Sequence, residues 1–350
     1  MSALVHNDVD VPPMTSSPAP RVSIGLPVYN GDEFLEQAIE SLLGQTFTDF
    51  ELLISDNAST DRTEEICRRF AARDPRVQYW RNPRNVGGMR NANLTFERAR
   101  GEYFRWAAHD DICGPTMIER LVAELDGRPD VAVVFAAAVA IDAHGEPLKG
   151  YPVAKRALAG GGFQTFATDD TGVRIPTEGT AARPSERIRE LLYTRCPCEA
   201  TYGLIRADVL RETVLLGDFT YSDTVLLCDL AMRTRFHLLP EPLFSKRFHT
   251  GNRYIERGPG RMVWSRPELA DSGRPTCPYW LVLKGYLTAV WRAPVPWRER
   301  LRCLPAVARW ARLRYRSLGW DLAFAAIMLV HSKEWRRGRY SPDNWVAESL

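Results

Sequence analysis

Two adjacent carboxylates, Asp110 and Asp111, close the segment Ala107-Ala108-His109-Asp110-Asp111, directly after the apolar run Tyr103-Phe104-Arg105-Trp106. Side by side they repel, and neither is buried cheaply without a cation. A hard divalent metal bridging the pair to a diphosphate resolves that conflict. The residues therefore point to nucleotide-diphosphate chemistry. The plain alternative is a solvated acidic turn, and the upstream sequence bears on the choice.

The pair ends a strand that belongs to a series. Val22 to Val28 reads as a buried strand closed by the turn Tyr29-Asn30-Gly31-Asp32. Phe34, Leu35, Ala38, Ile39, Leu42 and Leu43 recur at helical spacing, with Asp32 as N-cap and Gly44 as stop. Phe50 to Ser55 predicts a second strand, ending in the turn-rich Asp56-Asn57-Ala58-Ser59-Thr60-Asp61, and a helix through Ile66 and Phe70 follows. Val77 to Trp80, Glu102 to Ala107 and Val131 to Phe135 read as further strands, with a helix from Asn91 to Ala99. This alternation predicts an α/β fold with a mostly parallel sheet and right-handed crossovers. Ligands of such sheets bind beyond the carboxyl ends of the strands, where Tyr29, Asp56, Asp110 and Asp111 converge. No Gly-x-Gly-x-x-Gly follows the first strand and no P-loop lysine is present. Later, Ala159 to Thr180 reads as a mobile loop, Glu186 to Tyr193 as a helix, Tyr202 to Ile205 as a strand, and Asp223 to Ala231 as a helix start.

The 350 residues fit one large domain or two modest ones, and the 45% hydrophobic content suffices for a sizeable core. The seven cysteines are odd in number and scattered, which argues against a disulfide framework or a zinc motif. Reduced thiols suit a cytoplasmic setting. Residues 1–20 read as a disordered leader without a signal-peptide core, 21–260 as the catalytic domain and 261–350 as a helical, basic, Trp-rich region.

Four segments resemble the inverting family 2 glycosyltransferases of GT-A fold. They are Val22-Ser23-Ile24-Gly25-Leu26-Pro27-Val28-Tyr29-Asn30, Ser55-Asp56-Asn57-Ala58-Ser59-Thr60-Asp61, Asn85-Val86-Gly87 through Asn93 to Tyr103, and His109-Asp110-Asp111. The resemblance extends over roughly Arg21 to Asn252. It implies a GT-A domain in which Pro27 and Tyr29 line the nucleotide pocket and Asp56 bonds the base, with Asn93 also on the donor. Asp110 and Asp111 correspond to the acidic motif that binds metal and the donor's ribose or diphosphate. Ala108 stands where that motif usually has its first Asp, so either carboxylate is open as principal ligand. The family's Arg-Asn pair is also altered, since Ala92 precedes Asn93; Arg84 and Arg90 are both open as the replacement charge. Ser222-Asp223 resembles the acidic pair at a helix start, which makes Asp223 the general base. His249, after Pro242-Leu243-Phe244, implies a further metal or diphosphate contact. The bland reading of Asp223 is a helix N-cap, that of Asp56 an Asx turn, and that of His249 an ordinary packed histidine.

The resemblance thus implies a Mn²⁺- or Mg²⁺-assisted transfer of one sugar from a nucleotide-sugar, a UDP-sugar in first place. The acceptor would be a glycan, a lipid-linked glycan or a small molecule. The rivals are a nucleotidyltransferase, which generally opens with a Gly-rich loop in place of Pro27-Val28-Tyr29-Asn30, and a non-catalytic glycosyltransferase-like binder. From Lys284 to the end, thirteen Lys and Arg face five acidic residues, and Trp280, Trp291, Trp297, Trp310 and Trp320 are interleaved with them. Two readings follow: a peripheral membrane surface, or a helical subdomain that packs its tryptophans inward. Nucleic acid is not an expected partner.

Overall fold

The computed structural model describes residues 18–148, 152–157, 163–167, 173–174, 181–193, 198–249 and 277–330. The expected leader therefore lies outside the described residues, apart from Pro18 to Pro20.

Strands β1 (Val22–Val28), β2 (Phe50–Asp56), β3 (Val77–Arg81) and β4 (Tyr103–Trp106) pair in parallel in the order β3-β2-β1-β4. Helices α1 (Leu35–Leu43), α2 (Thr63–Arg73) and α3 (Gly88–Glu97) form the crossovers. Two boundaries differ from the sequence reading. Phe34, not Asp32, holds the cap position of α1, and the Asp32 backbone N–H instead donates to the Asp61 carboxylate at 3.1 Å. Gly87, at φ 89°, starts α3 one turn earlier than expected.

Beyond β4 the sheet is mixed. The expected fifth strand is longer, β6 (Val131–Ile141), and does not touch β4. Between them lies β10 (Leu204–Arg206), antiparallel to both. On its far side β6 pairs in parallel with β11 (Arg235–Arg247), which in turn pairs antiparallel with the short β5 (Ile112–Cys113). Helix α4 (Met117–Gly127) connects β5 to β6. The segment expected as a loop, Ala159 to Thr180, carries two strands instead: β8 (Phe163–Ala167), paired with β7 (Pro152–Ala157) just before the segment, and β9 (Val173–Arg174), which adds to β6.

Alternation along the strands feeds a core on each face. Phe104, Trp106, Val133 and Phe135 point to one face, and Tyr103, Val134 and Ala136 to the other. The first core is shared with helices α5 (Pro184–Tyr193), α6 (Ala207–Arg211) and α7 (Ser222–Arg233). It is also shared with the C-terminal helices α8 (Pro278–Arg292) and α9 (Trp297–Leu313), through residues such as Val282, Tyr286, Cys303, Val307 and Trp310, and a last helix, α10 (Tyr315–Val330), follows them. Helix α8 lies on α7: Tyr286 Oη is 2.9 Å from Thr224 Oγ1, and a Cβ at Gly285 would come within 2.7 Å of Val225. Glu299 of α9 accepts a hydrogen bond from Ser185 Oγ of α5 at 2.5 Å.

The inward-packing expectation for the tryptophans holds only for Trp310, which is 8% exposed and meets Tyr286 edge-on at 5.2 Å. Trp280, Trp291, Trp297 and Trp320 are 41%, 51%, 63% and 61% exposed. No described helix is long and apolar enough to cross a membrane.

Candidate active site

The carboxyl ends of β1 and β4, the start of α3, the start of α7 and the end of β11 enclose a cavity of about 380 Å³. Pro27 and Tyr29 line it, with Asn57, Asn91, Asp110, Asp111, Asp223, Lys246 and His249. Sequence-distant carboxylates thus share one space.

The turn after β1 is shaped for this purpose. Asn30 adopts φ 49°, a region that Asn tolerates, and its Oδ1 accepts the Thr60 N–H at 2.8 Å. Gly31 follows, and a Cβ there would approach the His109 ring to 2.6 Å. A side chain here would push the His109 ring or Val28 aside, so glycine lets the β1 turn and the acidic turn close on each other as they stand.

The acidic pair divides its work. Oδ2 of Asp110 lies 3.2 Å from Nε2 of His249, on the cavity. Burial pushes the Asp110 carboxyl up, but the hydrogen bond from His249 and the neighbouring charge of His109 outweigh it, so its pKa falls below the ordinary value. Asp111 is nearly buried, and its Oδ1 accepts the backbone N–H of Arg247 at 2.9 Å. Behind both sits the Arg247 guanidinium, 1% exposed. Its Nε donates to the Asp110 carbonyl at 2.8 Å, and its terminal nitrogens donate to the Ala143 carbonyl at 2.8 Å and to Gln37 Oε1 at 2.9 Å. Phe34 is sandwiched by this arrangement, 4.7 Å from the guanidinium and 4.6 Å from the His249 ring. The rest of the expected His249-Thr250-Gly251-Asn252 segment lies outside the described residues.

Asp223 stands in the first turn of α7 and faces the cavity. The cap position belongs to Tyr221, and no side chain caps the helix there. The Asp223 carboxylate does accept the Thr224 N–H at 3.0 Å, so it meets one first-turn donor while facing the cavity. Tyr221 adopts φ 70°, which is strained for a bulky side chain, and its ring also lines the cavity.

Two expected donor-binding residues lie elsewhere. Asp56 is fully buried and does not line the cavity; it accepts the Ser59 N–H at 2.8 Å and the Tyr79 hydroxyl at 2.9 Å, with Arg81 at 3.4 Å. It holds the turn beneath Asn57, and Asn57 is the residue that reaches the lining. Asn93 is not on the lining but holds a residue that is, donating to the Leu216 carbonyl at 2.7 Å and accepting the Leu216 N–H at 3.2 Å. Of the two open basic candidates, neither Arg84 nor Arg90 lines the cavity; Arg90 pairs with Glu97. The cation on the lining is Lys246, stacked 5.9 Å over the Tyr202 ring. Lys246, Arg247 and Tyr221 escaped the sequence reading. The available signal was Lys246-Arg247 itself, a charged pair at the end of an apolar strand, like Asp110-Asp111.

The chemistry of the donor set suits a divalent cation shared with a substrate. Asp110 and His249 offer an oxygen and a nitrogen side by side, while Asp111 is tied back to the chain. Among the described residues no group of three or more metal-binding side chains comes together. A hard cation held by one or two protein groups and completed by phosphate oxygens matches this arrangement better than an all-protein cage does.

A Rossmann-like, mixed sheet with an acidic turn at the end of β4 and a carboxylate at a later helix start defines the GT-A class. Residues 23–191 match the family model described as Glycosyl transferase family 2. Residues 23–191 thus carry a domain similar to that family, and they include Pro27, Tyr29, Asp110 and Asp111. The chain is similar to an uncharacterized glycosyltransferase of Methanocaldococcus jannaschii, 32% identical over 132 residues, a match covering 37% of this chain and 46% of that protein. It is also similar to the glycosyltransferase GlyG of Streptococcus pneumoniae, 32% identical over 114 residues, covering 33% of this chain and 38% of GlyG. The chain spans less than half the length of these curated relatives. In three dimensions it is similar in fold to residues 1–349 of S. aureus TarS, with a TM-score of 0.57 at 13% identity, over 86% of this chain and 74% of that one.

Proposed function

We propose that the chain transfers a single sugar from a nucleotide-sugar donor to an acceptor hydroxyl, with inversion at the anomeric carbon and with Mn²⁺ or Mg²⁺. The observation that carries this reading is one cavity lined both by the Asp110–His249 pair and by Asp223. Pro27, Tyr29 and Asn57 form the nucleotide end. Asp110 and His249 would hold the cation, with Asp111 and Arg247 fixing the turn that presents Asp110. When bound, the cation neutralises the negative charge that develops on the departing diphosphate. Lys246 adds a positive charge of the chain's own to the same end.

Asp223 accepts the proton of the acceptor hydroxyl while the oxygen attacks the anomeric carbon. The bond from that carbon to the diphosphate oxygen breaks, and its electron pair leaves with the nucleotide. One displacement from the opposite face inverts the centre. Tyr221 and Thr220, beside Asp223 on the lining, shape the acceptor end. The acceptor belongs to glycan, lipid-linked glycan or small-molecule chemistry, in polysaccharide, glycolipid or other glycoconjugate synthesis within the cytoplasm.

The test is a calorimetric panel of UDP-, GDP- and dTDP-sugars with Mn²⁺ or Mg²⁺. TarS has been solved with UDP-GlcNAc, which supports placing UDP-sugars first. Metal-dependent binding of one donor class supports the reading, and no binding by any class defeats it.

A further inference from the structure

Helix α8 is apolar on two sides. Its inner side, with Val282, Tyr286, Ala289 and Val290, is buried. Its outer side forms a shallow groove of about 400 Å³ lined by Trp280, Leu283, Leu287 and Trp291, with Lys284 and Arg292 among them. The spacing places these residues on one helical stripe. A helix that is apolar all round is normally covered all round. Here Trp280 and Trp291 stay exposed, and so do Trp297, Tyr315, Trp320 and Leu322 on the next two helices. Outside this region the only comparably exposed large apolar side chain among the described residues is Val214. The exposed apolar surface is therefore concentrated on the C-terminal helices.

The charge on the same helices identifies what covers them. Lys284, Arg292, Arg298, Arg312 and Arg314 are exposed. The two acidic residues of these helices, among the described residues, turn inward. Glu299 accepts Ser185 Oγ on α5, and Asp321 accepts the Tyr279 N–H at 2.7 Å, capping α8. What remains outside is tryptophan and positive charge. A second copy of the chain on this face would set like charges against each other. A bilayer with anionic headgroups takes both components at once: indole rings settle at the headgroup boundary, and phosphates pair with Lys and Arg.

We infer that the outer face of α8, with the exposed ends of α9 and α10, binds an anionic membrane surface. The same helix borders the cavity on its other side, where the Tyr279 ring lies 5.8 Å from that of Tyr221. An acceptor carried in the bilayer would thus be one helix away from the cavity that holds Asp223. That last step rests on the transfer reading; the membrane contact does not.

The experiment is flotation of the full chain with phosphatidylcholine vesicles, with and without about one-third phosphatidylglycerol. Binding to the anionic vesicles is expected to be at least about tenfold stronger than to neutral ones, and to weaken as salt is raised. Two variants probe the face: Trp291→Ala with Trp297→Ala, and Arg292→Ala with Arg298→Ala. Each should weaken flotation several-fold with little change in melting temperature, since these side chains point outward. If the aromatic variant fails to fold, the arginine variant decides. Absence of flotation with anionic vesicles overturns the inference. So does equal binding to neutral vesicles, wild-type binding by the folded variants, or a solution dimer that the aromatic variant abolishes while vesicles remain unbound.

Discussion

The imidazole Nε2 of His249 lies 3.2 Å from Oδ2 of Asp110, across 139 residues of chain. The contact joins the end of β11 to the turn after β4. Arg247, two residues before His249, fixes the same turn by donating to the Asp110 carbonyl. One strand end therefore both presents a candidate ligand and anchors its partner.

That division orders the effects of mutation in the acidic pair. Asp110→Ala and His249→Ala should each remove metal-dependent nucleotide affinity with little change in melting temperature. Asp111→Ala acts through the turn it anchors, and should lower that affinity about 10–100-fold while also destabilising the fold. Calorimetry with a nucleoside diphosphate, with and without Mn²⁺, and a melting curve separate these outcomes. Unchanged metal-dependent affinity in all three variants defeats the assignment.

Asp223→Asn keeps shape and can still accept the Thr224 N–H. It cannot take a proton at neutral pH. Transfer should fall by about 100-fold or more, with nucleoside diphosphate affinity and melting temperature nearly constant. If the carboxylate served only the helix start, Asn would replace it almost without loss. Near-normal turnover would thus remove Asp223 from the mechanism. Asp229 is an unsuitable substitute, since it is buried and paired with Arg233 at 2.9 Å.

Arg247→Met removes a buried guanidinium and leaves the carbonyls of Asp110 and Ala143 without their donors. The expected loss of stability is on the order of 3 kcal/mol, read by denaturant unfolding. Retained stability would show that water or neighbouring groups replace the arginine.

Asp56→Asn distinguishes support from direct contact. The amide loses the ion pair with Arg81 and weakens the bond from Tyr79. Stability should fall by about 1–3 kcal/mol, while nucleotide affinity of the folded variant should change by less than about threefold. A large affinity loss with unchanged melting would restore Asp56 as a base contact.

Burial sets the reactivity of the described thiols. It pushes Cys67 up to about 12 and Cys303 up to about 11, and holds Cys228 well above its ordinary value. Thiolate is the reactive form. These three should resist alkylation in the native protein at pH 7 and label after denaturation, as read by mass spectrometry. Rapid native labelling would mean that their helices open readily.

The sequence by itself determined the alternation of the first four strands and the rim on which their ends meet. Short apolar runs, helical spacing and turn residues are local signals, and parallel strands bring their ends to one rim. Tyr29, Asp110 and Asp111 were expected on that rim for this reason and Asp223 and His249 were singled out by family resemblance, and all five line one cavity. Side-chain direction was not. Asp56 and Asn93 have the residue types of a binding site, but Tyr79 and Arg81 on β3 claim the first and the Leu216 backbone claims the second. Lys246 and Arg247 are adjacent on a strand, so they project to opposite sides, and only the pairing of β11 with β6 decides which one meets the cavity. Strand β10 was legible as a strand at Tyr202 to Ile205, but its place between β4 and β6 depends on long-range pairing. The same holds for the C-terminal helices. Their mixture of Trp and Arg is written in the chain, but docking of α8 on α7 and α9 on α5 selects the inner faces and leaves four tryptophans outside. Local periodicity defines elements; which face each one buries is settled by the neighbours that tertiary packing supplies.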